Sequence, residues 1–237
     1  MSKVEAADTS QRVDFDEFAG NYDAALDRGL SLSGEDKDFF SRGRVEWLKS
    51  CLGESLPTNV LDFGCGTGGA TSLLQSELGA RSVTGIDTSR EAIAVAQRAA
   101  SESVCFQPLE EYRPTAEVDV AYCNGVFHHI PLAERASAIR LVWDSLRPGG
   151  VFSFWENNPW NPGTRLVMSR IPFDRDAILV SSREARRLLR EGGFEILSTH
   201  FLFVFPKLLG ALRPLERALT SLPVGAQYQV LCRKALS

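Results

Sequence analysis

The sequence has no surplus of basic charge: 26 Lys and Arg stand against 30 Asp and Glu, for a net charge of -4 and a pI near 5.5. Nucleic-acid binders usually carry a basic face and a basic pI, so the balance argues against RNA or DNA as a partner. Nor is there a run of about 18 uncharged apolar residues, the length a membrane-spanning helix needs. The five cysteines, Cys51, Cys65, Cys105, Cys123 and Cys232, contain no CxxC pair. That excludes the common zinc spacings and a disulfide framework, and fits reduced thiols in a cytoplasmic protein. Residues 1–11 are polar and acidic, unlike a signal peptide, and residues 1–12 are expected to be disordered. No repeat or low-complexity tract is present.

What remains is a chain of 237 residues, 44% hydrophobic, enough for one α/β domain over 13–237 with a large core. An amphipathic helical region, broken near Ser31–Gly34, covers 13–52 and reads as an N-terminal lid. Strand-like and helix-like segments then alternate, the signature of a mostly parallel sheet. Strands are expected at 59–63, 82–87, 104–107, 118–123, 151–155, 194–205 and 227–233. Helices are expected after the first strand up to Leu78, after a capping box at Thr88-Ser89-Arg90-Glu91, from Leu132 to Leu146, and after a second capping box at Ser181-Ser182-Arg183-Glu184. Two segments, 156–180 and 206–225, stand outside this alternation as insertions on the substrate side.

The main chemical signal is Val60-Leu61-Asp62-Phe63-Gly64-Cys65-Gly66-Thr67-Gly68-Gly69. Glycines between a strand and a helix allow a tight turn with positive φ and let a ligand reach the main chain. Gly64, Gly66 and Gly69 satisfy GxGxxG, the dinucleotide fingerprint, which alone is weak evidence. Asp62 sharpens it: a carboxylate there suits an ammonium group and would repel a pyrophosphate. Asp87, ending the second strand, is placed to accept both hydroxyls of a ribose.

Residues 60–71 resemble the first motif of the class I S-adenosylmethionine methyltransferases, and 83–89 their second. Asp119 to Pro131, which includes Asn124-Gly125-Val126-Phe127-His128-His129, resembles the fourth motif of small-molecule members. Leu146-Arg147-Pro148-Gly149-Gly150 is similar to the turn before their fifth strand. The resemblance implies a Rossmann-like α/β fold: a seven-stranded, mostly parallel sheet with an antiparallel last strand and helices on both faces. It implies S-adenosyl-L-methionine as cofactor. It places Gly64, Cys65 and Gly66 against the cofactor backbone-on, Asp62 near its methionine amine, Asp87 on the ribose and Thr88 beside the adenine. Leu109 and Glu110 would contact the adenine, Asn124 and Gly125 the methionine portion. Tyr22 resembles an aromatic of the lid, and Arg44 is placed to reach the cofactor carboxylate.

Methyl transfer needs the acceptor held about 3 Å from the methyl group; a base is needed only for a protonated, weak acceptor. The candidates are His129, slightly preferred, then Glu156 and His128. Neighbours on a helix do not share a face, so only one of the two histidines is expected to point at substrate, and no metal is expected. Glu156 also reads as a structural carboxylate, and His200 as an ordinary strand residue. Trp160, Arg165 and Arg170, in an irregular loop rich in Pro and Asn, suggest an aromatic and basic wall for a sugar, an amino acid or an anion. In the 206–225 insert, Leu208, Leu212, Leu215 and Leu219 keep helical spacing, which reads first as core packing, then as a homodimer interface or lid, then as a membrane-surface contact. The expected activity is methylation of a small molecule on oxygen, nitrogen or carbon, in secondary-metabolite or saccharide biosynthesis. An NAD(P)-dependent oxidoreductase using the same glycine loop and a non-catalytic cofactor-binding protein are the alternatives.

Overall fold

The computed structural model describes residues 28–174 and 177–236. The expected disorder of 1–12 and the lid aromatic Tyr22 lie outside the described residues.

The strands are β1 (Asn59–Phe63), β2 (Ser82–Asp87), β3 (Val104–Pro108), β4 (Val118–Asn124), β5 (Leu146–Asn157), β6 (Glu195–Leu202) and β7 (Gln227–Arg233). They form one sheet in the order β3-β2-β1-β4-β5-β7-β6. β7 runs antiparallel to both β5 and β6, and the other pairings are parallel. The strand order reverses between β1 and β4. In open sheets of this kind that reversal opens a crevice beyond the carboxyl ends of the two strands.

Helices cover both faces. α1 (Lys37–Leu52), α2 (Gly69–Leu78) and α3 (Arg90–Ala96) bury Val45, Leu48, Leu74, Leu78 and Ile93 with Val60, Val83 and Trp155 of the sheet. α4 (Arg135–Ser145) and α6 (Ser182–Glu191) bury Ile139, Val142, Ala185 and Leu189 against Leu61, Phe152, Phe154 and Val230. Phe152, Phe154 and Trp155 of β5 are all fully buried. At about 1.5–3 kcal/mol each for full burial, that one strand pins the sheet between its layers.

The boundaries depart from the sequence expectations in four places. β5 starts at Leu146, which pairs with Val118, because a register irregularity between Val118 and Val120 absorbs the Pro-Gly-Gly turn. β6 stops at Leu202, before Phe205, because Phe203 takes a left-handed φ of 63° and turns its ring onto Phe39 and Phe40. α3 is capped by Ser89 rather than Thr88, the Ser89 side chain accepting from Ala92 N–H. In the expected loop after β5, Asn161 accepts from Thr164 N–H and caps a short helix, α5 (Pro162–Met168).

The core-packing expectation for the 206–225 insert is overturned. Lys207–Leu215 is a 3₁₀ helix containing Pro214, followed by a single α turn, α7 (Glu216–Leu219). A three-residue repeat spreads the leucines that a 3.6-residue repeat would have stacked, and Leu208 is 93% exposed. Arg213 ties the insert to the start of α1 and the segment before it, stacking on Phe39 and bonding Glu35 at 2.7 Å.

Candidate active site

The glycine turn sits at the switch point. Gly64 N–H and Cys65 N–H both donate to Ile86 O, which folds the turn over the end of β2. Gly64 has φ 76°, and a Cβ there would lie 2.2 Å from Val126 Cγ2; only glycine lets the turn press against the segment that follows β4. At Gly66, with φ 53°, a Cβ would meet nothing within 4 Å, and the same holds at Gly69. These two face open space: they form a bare cradle for a ligand.

Two acids flank the glycine turn. Asp87 accepts from Gly66 N–H at 2.8 Å through one carboxylate oxygen and from Ser89 N–H at 2.9 Å through the other. A carboxylate offers about four acceptor sites, so capacity remains for ribose hydroxyls. Asp62 is buried and accepts from Thr71 Oγ1 at 2.6 Å. Burial pushes its carboxyl up to about 7, with Asp87 adding to the rise and Thr71 and Arg44 opposing it. A buried acid poised in this way gains from an incoming ammonium. The Cys65 thiol is held far above its ordinary value by burial and by Asp62 and Asp87, so it is a neutral packing group.

Arg44, on α1, is 5% exposed. It donates to Tyr122 Oη at 2.9 Å, Gln227 Oε1 at 2.9 Å and Ser41 Oγ at 3.0 Å. All three partners are neutral, and among the described residues no carboxylate pairs with it. A buried guanidinium with two further N–H groups and no counter-ion is a receptor for a carboxylate. Asn124 Oδ1 is buried without a hydrogen-bond partner and lines the same space. Asp62 and Arg44 could thus hold the ammonium and carboxylate of a zwitterion, with Asp87 at the other side of the glycine turn able to take a sugar. Thr88 and Glu110 are exposed and Leu109 is half-buried, and none of the three lines the cavity. Glu110 is paired with Arg90 at 2.6 Å.

The crevice continues into a cavity of about 480 Å³. Its far wall is apolar, built from Phe39, Phe40, Val167, Met168, Ile171 and Phe203. The expected aromatic and basic wall is absent: Trp160, Arg165 and Arg170, in and around α5, are all exposed and none lines the cavity, while α5 presents Val167 and Met168 to it.

His128 and His129 stand in a turn rather than on a helix, so the rule that neighbours diverge does not apply. Their ring centroids are 4.0 Å apart, and both line the cavity. His128 Nδ1 lies 2.7 Å from Glu156 Oε2, the His128 backbone N–H donates to Glu156 Oε1, and the ring Nε2 is 3.4 Å from Asp174 Oδ1. His129 Nε2 is 3.1 Å from the same Asp174 oxygen. Burial pulls the His128 imidazole down, but Glu156 and Asp174 outweigh it and raise the ring to about 10. Burial and the charge on His128 hold His129 below its ordinary value. Asp174, although buried, is drawn down to about 2 by hydrogen bonds from both rings. Glu156 is enclosed behind His128, 1% exposed, which makes it a positioning residue for that ring rather than a base facing the cavity. His200 packs edge-on against Trp47, away from the site.

Asp174, Thr71, Tyr122 and Gln227 were not singled out by sequence reasoning. Tyr122 carried a signal, as a strand residue immediately before Cys123-Asn124-Gly125. Asp174 carried none, since only folding brings it to the histidines.

The cradle, the two acids and the switch point define a Rossmann-like protein built to hold an adenosine-type ligand. Residues 60–150 match the family described as a methyltransferase domain. A ubiquinone biosynthesis O-methyltransferase of Alkalilimnicola ehrlichii is 33% identical over 165 residues, 65% of each chain. A trans-aconitate 2-methyltransferase of an Azoarcus species is 30% identical over 125 residues, 52% of this chain and 49% of that one. The chain thus spans between about half and just under two thirds of these relatives' length. Among solved structures, an S-adenosylmethionine-dependent methyltransferase from Mesorhizobium loti superposes with a TM-score of 0.59 at 20% identity, covering 80% of this chain and 98% of that one. The [4+2]-cyclase SpnF superposes with a TM-score of 0.58 at 19% identity, covering 83% and 81%. Both structures share the fold. Over residues 60–150 the chain is similar to the methyltransferase domain family, and a solved S-adenosylmethionine-dependent methyltransferase shares its fold.

Proposed function

We propose that the chain methylates a small, largely apolar molecule, with S-adenosylmethionine as the donor. One observation carries this reading: a single cavity runs from the bare glycine cradle to an apolar wall, with His128, His129 and Asp174 lining it. When bound, the donor supplies an electrophilic methyl group on its sulfonium. The protein's work is then positional. Asp62, Arg44 and Asp87 would fix the donor's charged and sugar ends, and Asn124 and Gly125 would lie beneath its methionine part. The apolar wall would press the acceptor against the donor and keep water out, which favours near-attack geometry.

An apolar wall suits an aromatic or aliphatic acceptor better than a saccharide, and the acidic balance of the chain speaks against nucleic acid. All five cysteines are free, in keeping with a reducing cytoplasm, and among the described residues no helix is long and apolar enough to cross a membrane. Fold alone does not decide the reaction, as the cyclase neighbour illustrates. Calorimetry against S-adenosylhomocysteine and NAD, followed by mass spectrometry of an acceptor panel of hydroxyaromatics, short carboxylic acids and sugars, tests the reading. Homocysteine-adduct binding with methylated apolar products is expected. Preferential NAD binding, or donor binding with no product from any acceptor, would overturn it.

A further inference from the structure

The His128, His129 and Asp174 cluster borders the cavity. Their ligating atoms fall within 4.8 Å of one another. His128 Nε2 and His129 Nε2 lie 3.4 Å and 3.1 Å from one Asp174 oxygen. Ligands at about 2.0–2.1 Å from a first-row ion stand roughly 3.0–3.4 Å from each other in octahedral or tetrahedral geometry. Both nitrogen–oxygen separations fall within that range.

Three further observations fit. The side chains are 2%, 10% and 7% exposed, so the groups are held by packing rather than waving in solvent. Glu156 sits on His128 Nδ1 at 2.7 Å, the carboxylate–imidazole arrangement that fixes which nitrogen is offered to a metal. Ile178 N–H donates to His128 O at 3.1 Å, fastening the chain just beyond Asp174 to the histidine turn. All three groups border the cavity, which leaves one side open. Three protein ligands plus an open position is the pattern of catalytic rather than structural sites.

We propose that His128, His129 and Asp174 bind a divalent first-row transition-metal ion whose open position receives an oxygen of the acceptor. Two imidazoles favour Zn²⁺, Mn²⁺, Fe²⁺ or Co²⁺ over Mg²⁺, which prefers oxygen ligands. The ion would act as a Lewis acid on an acceptor hydroxyl, easing loss of its proton to water. The oxygen–carbon bond then forms as the carbon–sulfur bond breaks, its electron pair remaining on sulfur. This rests on the methyltransferase reading and narrows it to oxygen acceptors.

The test uses the full, untagged chain, freed of metal by chelator and titrated with Co²⁺ while its visible spectrum is recorded. One ion per chain is expected, with absorption bands that shift when a hydroxyaromatic is added. Asp174→Asn and His129→Gln should each weaken binding by about 100-fold or more, and Glu156→Gln by roughly 10–100-fold, the range for an outer carboxylate. S-adenosylhomocysteine titrations on the same proteins serve as the folding control. If these remain normal while wild-type chain takes up no Co²⁺ at millimolar concentration, or the variants bind it as wild type does, the metal site is refuted and the methyltransferase reading stands. Should S-adenosylhomocysteine also fail to bind wild type, the broader reading falls independently.

Discussion

Asp87, at the end of β2, accepts the Gly66 N–H at 2.8 Å, so the acid that would grip the ribose also sets the shape of the glycine turn. Replacing it with alanine removes both contributions. Asp87→Ala should weaken S-adenosylhomocysteine binding by about 10-fold or more, as loss of charge-assisted bonds worth about 1.5–3 kcal/mol implies. Calorimetry returning wild-type affinity would remove Asp87 from the site.

Asp62 predicts a pH dependence. Its carboxyl titrates near 7 in the folded chain, raised by burial from 3.8, so the native state holds the proton more tightly than the unfolded state. Its contribution to stability is full below about pH 4 and is lost as pH rises to about 7. Ligand binding runs the other way, because an ammonium prefers the ionised acid. Affinity for S-adenosylhomocysteine should therefore climb as pH passes from 6 to 8, on the order of several-fold. Asp62→Asn should flatten that rise; an unchanged profile would place the titrating group elsewhere.

Two glycines of the same turn should separate stability from binding. At Gly64 a methyl would collide with Val126 in a left-handed backbone. Gly64→Ala should cost on the order of 1–3 kcal/mol, a fall in Tm of roughly 2–12 °C for a chain of this size. At Gly66 the methyl meets open space. Gly66→Ala should leave Tm closer to wild type and instead weaken ligand binding by about 10-fold or more, since the methyl occupies the cradle. Equal effects on both readouts at both positions would contradict the assignment.

Arg44→Met keeps much of the side-chain volume and removes the charge. Binding should drop by roughly 10–100-fold through the lost carboxylate contact. Stability should fall by about 1–3 kcal/mol, because Tyr122 Oη loses its partner in a buried setting. Denaturant melts with and without ligand measure both effects.

Much of this was legible beforehand. Alternating apolar segments with glycine and capping punctuation located all seven strands, and the fold gathers Asp62, Gly64, Gly66 and Arg44, all named from the sequence, around one cavity. What escaped was whatever depends on contacts distant in sequence. Asp174 meets His129 only because the chain after α5 folds back onto the histidine turn, where Ile178 N–H donates to His128 O. Glu156 looked like a base at the end of a strand, yet its partner is the His128 turn, which closes over it. Trp160 and Arg165 looked like a pocket wall, yet both are exposed and neither lines the cavity. The leucines of 206–225 kept an α-helical rhythm that Pro214 and a three-residue turn do not honour.

The contact between Gly64 and Val126 has an evolutionary corollary. Val126 stands two positions before His128, so bulk added at Gly64 would push on the stretch of chain that carries both histidines. The apolar residues of α5 lie apart from that contact, so they can change size without pressing on the glycine turn.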